Sequence, residues 1–227
     1  ASGAVSVQSG AGAFSSGAVN IASGVASSDV SGSVRVSTGD SMASRSGSIS
    51  LSVGSSAASF GGDVEISAGG SQAAGAGGSV VLRSGSSSQG ISGVMDIQTG
   101  QAGLESGKLQ LLTGQSNAGA SGNIHIGSGD ANNAESGSVQ ISGGSSAAAG
   151  GSIYVHAGDG ASVTGGSIAL SSGKSNTGFS GAVAIETPTS EVGQSSGAVF
   201  VGTGNAATGS AGSINLAAGT SASFHGG

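Results

Sequence analysis

The residues that could support catalysis or bind a metal are few and widely spaced. The three histidines are His125, His156 and His225, and there is no cysteine. A shared metal ion or proton needs ligands that converge on one point. His125 and His156 are 31 residues apart, and no Ser-His-Asp set is arranged around the many serines. The histidines are therefore interpreted as surface residues.

The acidic residues give no clearer indication of a site. Asp40, Asp130 and Asp159 each follow a glycine, but they are far apart and lack the Gly-Gly-x-Gly-x-Asp pattern of calcium-binding β-rolls. Short pieces such as Gly10-Ala11-Gly12 have no strand-to-helix context that would make them a nucleotide loop. The sequence predicts no enzyme, no cofactor and no metal.

Composition excludes further classes. Five Lys and Arg stand against eleven Asp and Glu, for a net charge of −6, which argues against nucleic-acid binding. No apolar stretch is long enough to insert into a membrane, and no signal peptide is visible. Forty-eight glycines are typical of a flexible linker, but a mean hydropathy of +0.20 is not typical of disorder.

The chain consists of copies of one sequence motif, shown most clearly by Ser31-Gly32-Ser33-Val34-Arg35-Val36-Ser37-Thr38-Gly39. Its opening glycine returns every 14 to 16 residues. The glycines that open the copies are Gly3, Gly17, Gly32, Gly47, Gly62, Gly78, Gly93, Gly107, Gly122, Gly137, Gly151, Gly166, Gly181, Gly197, Gly212 and Gly227. A second glycine follows seven residues later, except in the thirteenth copy, where Pro188 takes its place.

Every complete copy has two apolar residues, at positions +2 and +4 from the opening glycine. A spacing of two is the strand period, and β-branched residues suit a pleated sheet. Both positions are expected to point into a core. The clearest members of this core ladder are Val34, Val36, Ile49, Leu51, Ile124, Ile126, Ile168 and Leu170.

A short period of this kind predicts a solenoid. We expect an all-β fold: a narrow, two-sided parallel β-solenoid (β-helix) that forms one continuous domain over residues 1–227, with about 15 coils of 14–16 residues. The Ser/Ala stretch after the second glycine, such as 145–149, is expected to form the second strand, and the rod would be roughly 70 Å long at ~4.7–4.8 Å per coil. Glycine is expected at the corners because it accepts tight backbone packing or positive φ. The corner residues named on this basis are Gly3, Gly10, Gly17, Gly24, Gly32, Gly39, Gly47, Gly54, Gly122, Gly129, Gly166 and Gly173.

Two irregular features stand out. Pro188 is expected to break the register of the thirteenth copy, either as a tolerated bulge or as a docking or hinge site. Large apolar residues also occur two or three positions before an opening glycine. They are expected either to plug the thin core at a corner or to make lateral contacts with another molecule; they are Phe14, Phe60, Leu104, Phe179 and Phe224.

The repeated phrase resembles the Gly/Ser-rich, short-period β-solenoid repeats of secreted and cell-surface proteins. That resemblance covers the whole chain and implies a fold and an extracellular or cell-surface location, without implying a residue with a known role. The first hypothesis is a structural protein: an extracellular fibre, filament or surface stalk that forms by coil stacking and self-assembles end to end or laterally. Its repeats show no divergent caps, which suggests a segment of a longer array or a filament subunit.

The alternative is a solenoid that binds a surface such as ice, polysaccharide or mineral through a flat Ser/Thr/Asn-rich face. Such a face would need a regular lattice. The outward +3 position instead changes from Arg35 to Glu65, His125 and Phe200, and threonine at +6 is interrupted by other residues. The sequence therefore favours the structural hypothesis, with further copies of the chain as the partner.

Overall fold

The computed structural model describes residues 2–57, 60–162 and 164–221, and in these ranges it contains neither a helix nor a strand. The predicted all-β solenoid is therefore wrong. The 15-residue period is expressed in another way, as a regular series of closed loops. Since no helix is present in the described ranges, none could span a membrane.

The loops occupy the second half of each repeat. Each begins at the second glycine, or at Pro188, and ends at the next opening glycine. Numbered in chain order, loops 1 to 14 run over 10–17, 24–32, 39–47, 54–62, 69–78, 85–93, 100–107, 114–122, 129–137, 144–151, 158–166, 173–181, 188–197 and 204–212. The chain bends sharply once in every loop, and no sharp bend occurs in the described residues between them.

The chain divides into two compact units, Ala1–Leu111 and Leu112–Gly227. Loops 1 to 7 belong to the first unit and loops 8 to 14 to the second. Each unit is thus a succession of the same local element.

In five loops, one backbone hydrogen bond closes the loop ends. The opening glycine donates its N–H to the carbonyl of the glycine that begins the loop, at 2.8–2.9 Å. The pairs are Gly78 with Gly69, Gly93 with Gly85, Gly151 with Gly144, Gly166 with Gly158, and Gly181 with Gly173. A parallel sheet would require a continuous ladder of such bonds. A single bond at the ends of a bent segment makes a loop instead.

The bend explains why the predicted second strand does not form. In at least seven loops the residue two positions after the first is a serine whose hydroxyl hydrogen-bonds to backbone inside the same loop: Ser41, Ser71, Ser87, Ser116, Ser146, Ser175 and Ser190. Serine commonly competes in this way with strand pairing. In the stretch 145–149, Ser146 Oγ accepts the Ala148 N–H at 3.0 Å, and the chain bends at Ala147 and Ala148.

No described residue is buried, so the described ranges have no hydrophobic core. Between Val19 and Ile214 the +2 side chains are 50–60% exposed, and between Val7 and Val201 the +4 side chains are 59–78% exposed. Ordering a glycine-rich backbone costs more entropy than ordering other residues. Burial of the small Ser and Ala side chains does little to offset that cost.

The partial shielding of the +2 side chains depends on the neighbouring repeat. Val5, which no repeat precedes in this sequence, is 92% exposed, whereas the next six repeats of the first unit keep this position near half exposure. In the first unit, therefore, the +2 side chain is less exposed where another repeat precedes it in the sequence.

Candidate functional site

The most constant structural feature is the contact between each opening glycine and the residue at +6 of the preceding repeat. A Cβ at Gly47 would lie 3.5 Å from Thr38 Cγ2, and one at Gly181 would lie 3.3 Å from Ser172 Cβ. The same pair of positions approaches within 4 Å at all fourteen loops. An added Cβ would make ordinary van der Waals contact where the distance is 3.5 Å or more, as at Gly47, and would crowd the +6 residue where it is shorter, as at Gly181.

The structure separates the predicted corner glycines into two groups. The opening glycines Gly17, Gly32, Gly47, Gly122 and Gly166 lie against the +6 residue, while the remaining ones have nothing within 4 Å of an added Cβ. That second group is Gly3, Gly10, Gly24, Gly39, Gly54, Gly129 and Gly173.

Positive φ occurs at other glycines. In the described residues it is confined to Gly193, at 85°, and Gly209, at 109°, which lie inside loops 13 and 14. Of the two reasons given for glycine at the corners, tight packing and positive φ, positive φ does not occur at the predicted corner glycines.

Loop 13, which begins at Pro188, has hydrogen bonds that differ from those of the other loops. The Gln194 N–H donates to the Glu191 carbonyl at 3.1 Å, and with Gly193 at φ 85° this four-residue turn fits type II. Thr187 Oγ1 donates to the Gly197 carbonyl at 3.1 Å, so a side chain links the two ends of the loop.

A second side-chain bond lies inside loop 13. Ser190 Oγ donates to the Ser195 carbonyl at 3.2 Å, and Ser190 is one of the few partly covered residues. Pro188, which lacks an N–H, is thus the first residue of a loop whose side chains supply much of its hydrogen bonding.

In two repeats the side chains at +3 and +5 contact each other. Tyr154 and His156 stack with ring centroids 6.1 Å apart and planes 13° from parallel. Gln98 Nε2 donates to Asp96 Oδ2 at 3.1 Å across the same two positions of another repeat. The period-two alternation expected from the sequence is therefore present in these side chains, although no strand is formed.

Two further repeats have an aromatic ring at +3 and glycine at +5. A Cβ at Gly202 would lie 2.8 Å from the ring of Phe200, and one at Gly127 would lie 3.4 Å from His125 Nε2. The ring at +3 thus lies over the backbone at +5. His125 and His156 are occupied by these local contacts within their own repeats.

The described residues contain no group of three or more His, Cys, Asp or Glu side chains that could hold a metal ion. Asp40, Asp130 and Asp159 are exposed and lie at the starts of loops 3, 9 and 11. The arrangement offers exposed polar and apolar surfaces for association, and no converging catalytic groups are described.

The large apolar residues of the loops are fully accessible. Phe14, Phe60, Leu104 and Phe179 are each at least 94% exposed, so they do not plug a core. Phe224, which was placed with them, lies outside the described residues. The other expectation for these residues, lateral contact with another molecule, stays a prediction.

Sequence reasoning missed two kinds of residue. The first is the +6 residue, for which the sequence predicts no contact with the next opening glycine; Thr113 Cγ2, for example, faces Gly122. The second is the loop serine that caps the bend. Its signal is the recurring Ser-x-x-Gly of Ser87–Gly90, Ser116–Gly119 and Ser175–Gly178, where the glycine N–H donates to the serine hydroxyl at 2.8–3.1 Å.

Comparisons with protein-family models, with curated proteins and with solved structures find no match to this chain.

Proposed function

We propose that this chain is a structural repeat protein that associates with further copies of itself to form an extracellular or cell-surface fibre, filament or stalk. The observation that carries the proposal is the recurrence, in successive copies of the repeat, of apolar side chains at +2 and +4 that stay half to three-quarters exposed in most repeats. Fifteen copies have this pair of residues, so exposed apolar side chains at these positions occur in both units.

So many exposed apolar side chains are unusual at the surface of an isolated soluble chain. Transfer of apolar surface out of water contributes roughly 25 cal/mol per Å². Monomeric proteins rarely expose contiguous apolar patches larger than a few hundred Å², and larger ones mark interaction surfaces. Association of copies would cover the surface that the single chain leaves in water.

The amino-acid composition favours a structural protein that forms an extended assembly over a module that binds a small ligand. Ser, Ala and Gly lose little side-chain entropy when they become ordered in an assembly. Only 7% of residues are charged, so lateral approach of two copies meets little like-charge repulsion. The same element is repeated throughout, which fits an extended assembly better than one local site.

Negative-stain electron microscopy across a concentration series, with light scattering in parallel, tests the proposal. We expect unbranched filaments or bundles that grow in length and number as the concentration rises. Particles of single-chain mass at every concentration would contradict self-association. In that case thermal hysteresis and glycan-binding measurements would test the surface-binding alternative.

A further inference from the structure

Three loops begin with a glycine followed directly by an aspartate. These aspartates, in loops 3, 9 and 11, are all exposed and hold the same position in the loop. The residue that follows the aspartate differs from loop to loop: the pairs are Asp40-Ser41, Asp130-Ala131 and Asp159-Gly160. The last of these is the single Asp-Gly pair in the sequence. The three loops therefore present the same carboxylate beside three different backbone nitrogens.

An aspartate side chain and the backbone nitrogen that follows it can react with each other. The nitrogen attacks Cγ, and its proton leaves with a carboxyl oxygen as water, which closes a five-membered succinimide ring. Water then opens the ring at one of its two carbonyls. Opening at the side-chain carbonyl restores aspartate, and opening at the main-chain carbonyl leaves isoaspartate, in which the backbone runs through Cβ and Cγ. The water lost is regained, so the reaction needs no cofactor and leaves the mass unchanged.

The loops of this protein bring the two reacting groups together. In loop 2, Asp29 Oδ1 accepts the Val30 N–H at 2.8 Å, so the carboxylate reaches the next backbone nitrogen. Val30 is β-branched and crowds that nitrogen, whereas Gly160 has no side chain and the widest choice of φ and ψ. In the part of loop 11 that the structure describes, neither the Asp159 carboxylate nor the Gly160 N–H makes a hydrogen bond. Both groups are therefore available to react.

The path of loop 11 requires the glycine that makes this pair reactive. A Cβ at Gly160 would lie 2.8 Å from the Thr164 carbonyl carbon and 3.1 Å from the Gly165 nitrogen. Both are backbone atoms, so a side chain at residue 160 could be accommodated only if the loop moved. The reactive pair is thus part of the loop structure itself.

We propose that Asp159-Gly160 is a site of spontaneous isoaspartate formation, and that this modification opens loop 11. The ends of the loop are joined by the Gly166 N–H, which donates to the Gly158 carbonyl at 2.8 Å. Isoaspartate adds one carbon atom to the main chain between these ends and changes the direction in which it leaves Gly158. The hydrogen bond fits the native length of the loop and is expected to weaken. This inference goes beyond self-association and does not depend on it.

The test follows the full chain during several weeks at neutral pH and physiological temperature. Samples are then denatured and digested with an endoprotease that cleaves before aspartate but not before isoaspartate, and the products are quantified by mass spectrometry. We expect cleavage before Asp159 to be lost at least about fivefold faster than cleavage before Asp40 or Asp130, because glycine alone leaves the attacking nitrogen uncrowded. Equal rates at the three aspartates, or no loss at Asp159, would contradict the proposal.

Two variants separate the chemistry from its effect on the loop. Ala131→Gly places the reactive pair in loop 9 and should raise the rate at Asp130 toward that at Asp159; an unchanged rate would show that the following glycine is not the cause. Asp159→Glu has a longer side chain that does not form the five-membered ring. Amide exchange at Gly166 should become faster as the native chain is stored, but not in Asp159→Glu. Isoaspartate without faster exchange would show that loop 11 does not open. The proposed self-association is untouched by either result.

Discussion

Gly181 donates its backbone N–H to the carbonyl of Gly173 at 2.9 Å, and these two glycines are the ends of loop 12. The first has a Ser172 Cβ within 3.3 Å of where its own Cβ would lie, whereas the second has open space around it. The repeat therefore uses glycine for two different reasons within nine residues. A Cβ at residue 181 would crowd the Ser172 side chain, whereas a Cβ at residue 173 would meet no atom within 4 Å.

This difference predicts opposite effects of the same substitution. Gly181→Ala is expected to push the loop ends apart and to speed hydrogen exchange at the residue 181 amide. Gly173→Ala, at a position without positive φ, is expected to slow that exchange. Alanine lowers the conformational entropy of the open chain, which stabilises the closed loop by about 0.4–1 kcal/mol. Exchange measured by NMR on both variants checks this. Equal effects at the two positions would show that the Ser172 contact does not hold the loop closed.

Loop 6 provides a test of the serine caps. Ser87 Oγ accepts the Gly90 N–H at 2.8 Å, and the adjacent Ser88 makes no hydrogen bond in the part of the chain that is described. Ser87→Ala should remove roughly 1 kcal/mol of local stability and make the Gly90 amide exchange about fivefold faster. Ser88→Ala is the control and should leave the rate unchanged. Similar rates in the two variants would exclude a capping role for Ser87.

The turn in loop 13 depends on Gly193 at φ 85°. Gly193→Ala should cost about 1–2 kcal/mol, because an L-residue with a Cβ is strained in the left-handed region. The Gln194 amide, which donates to the Glu191 carbonyl, should then lose its protection from exchange. Gly193→Asn should keep most of that protection, since asparagine adopts this conformation more readily. Loss of protection in both variants would mean that glycine is needed for another reason.

Tyr154 reports on the +3 and +5 side of the repeat, because it is the single tyrosine and there is no tryptophan. We expect His156→Ala to remove the stacking contact and to weaken the near-ultraviolet circular dichroism band of the tyrosine. His125→Ala, in another repeat, should leave that band unchanged. A band that is equally strong without His156 would contradict the stacking.

Local patterns were predictable from the sequence, and the long-range arrangement was not. The alternation of side chains at Asp96 and Gln98 follows directly from the period of two in the apolar residues. The lengths of the copies also indicated that insertions and deletions fall in the second half of a copy, which corresponds to the segment between Gly39 and Gly47 in the third copy. Whether neighbouring copies join as strands depends on ladder bonds between distant residues, and no local pattern specifies those bonds.

Prediction of the candidate site failed for the same reason. Thr38 was considered only as a member of an interrupted series of threonines at +6, and no contact was predicted for it. Its methyl group instead lies against Gly47, nine residues further on. The serine caps could have been found from the recurring Ser-x-x-Gly, but the bend they create was set aside because the Ser/Ala stretch was assigned to a strand.

The contact at the loop ends is the same whatever the length of the loop, so the number of residues in a loop does not decide how the chain continues after it. Loops of eight, nine and ten residues all bring the +6 residue to the next glycine. An insertion or deletion inside a loop is therefore absorbed locally, and whole repeats can be duplicated or lost without compensating changes elsewhere. Such a chain can evolve in length by simple recombination between its own copies, much as a microsatellite does in DNA.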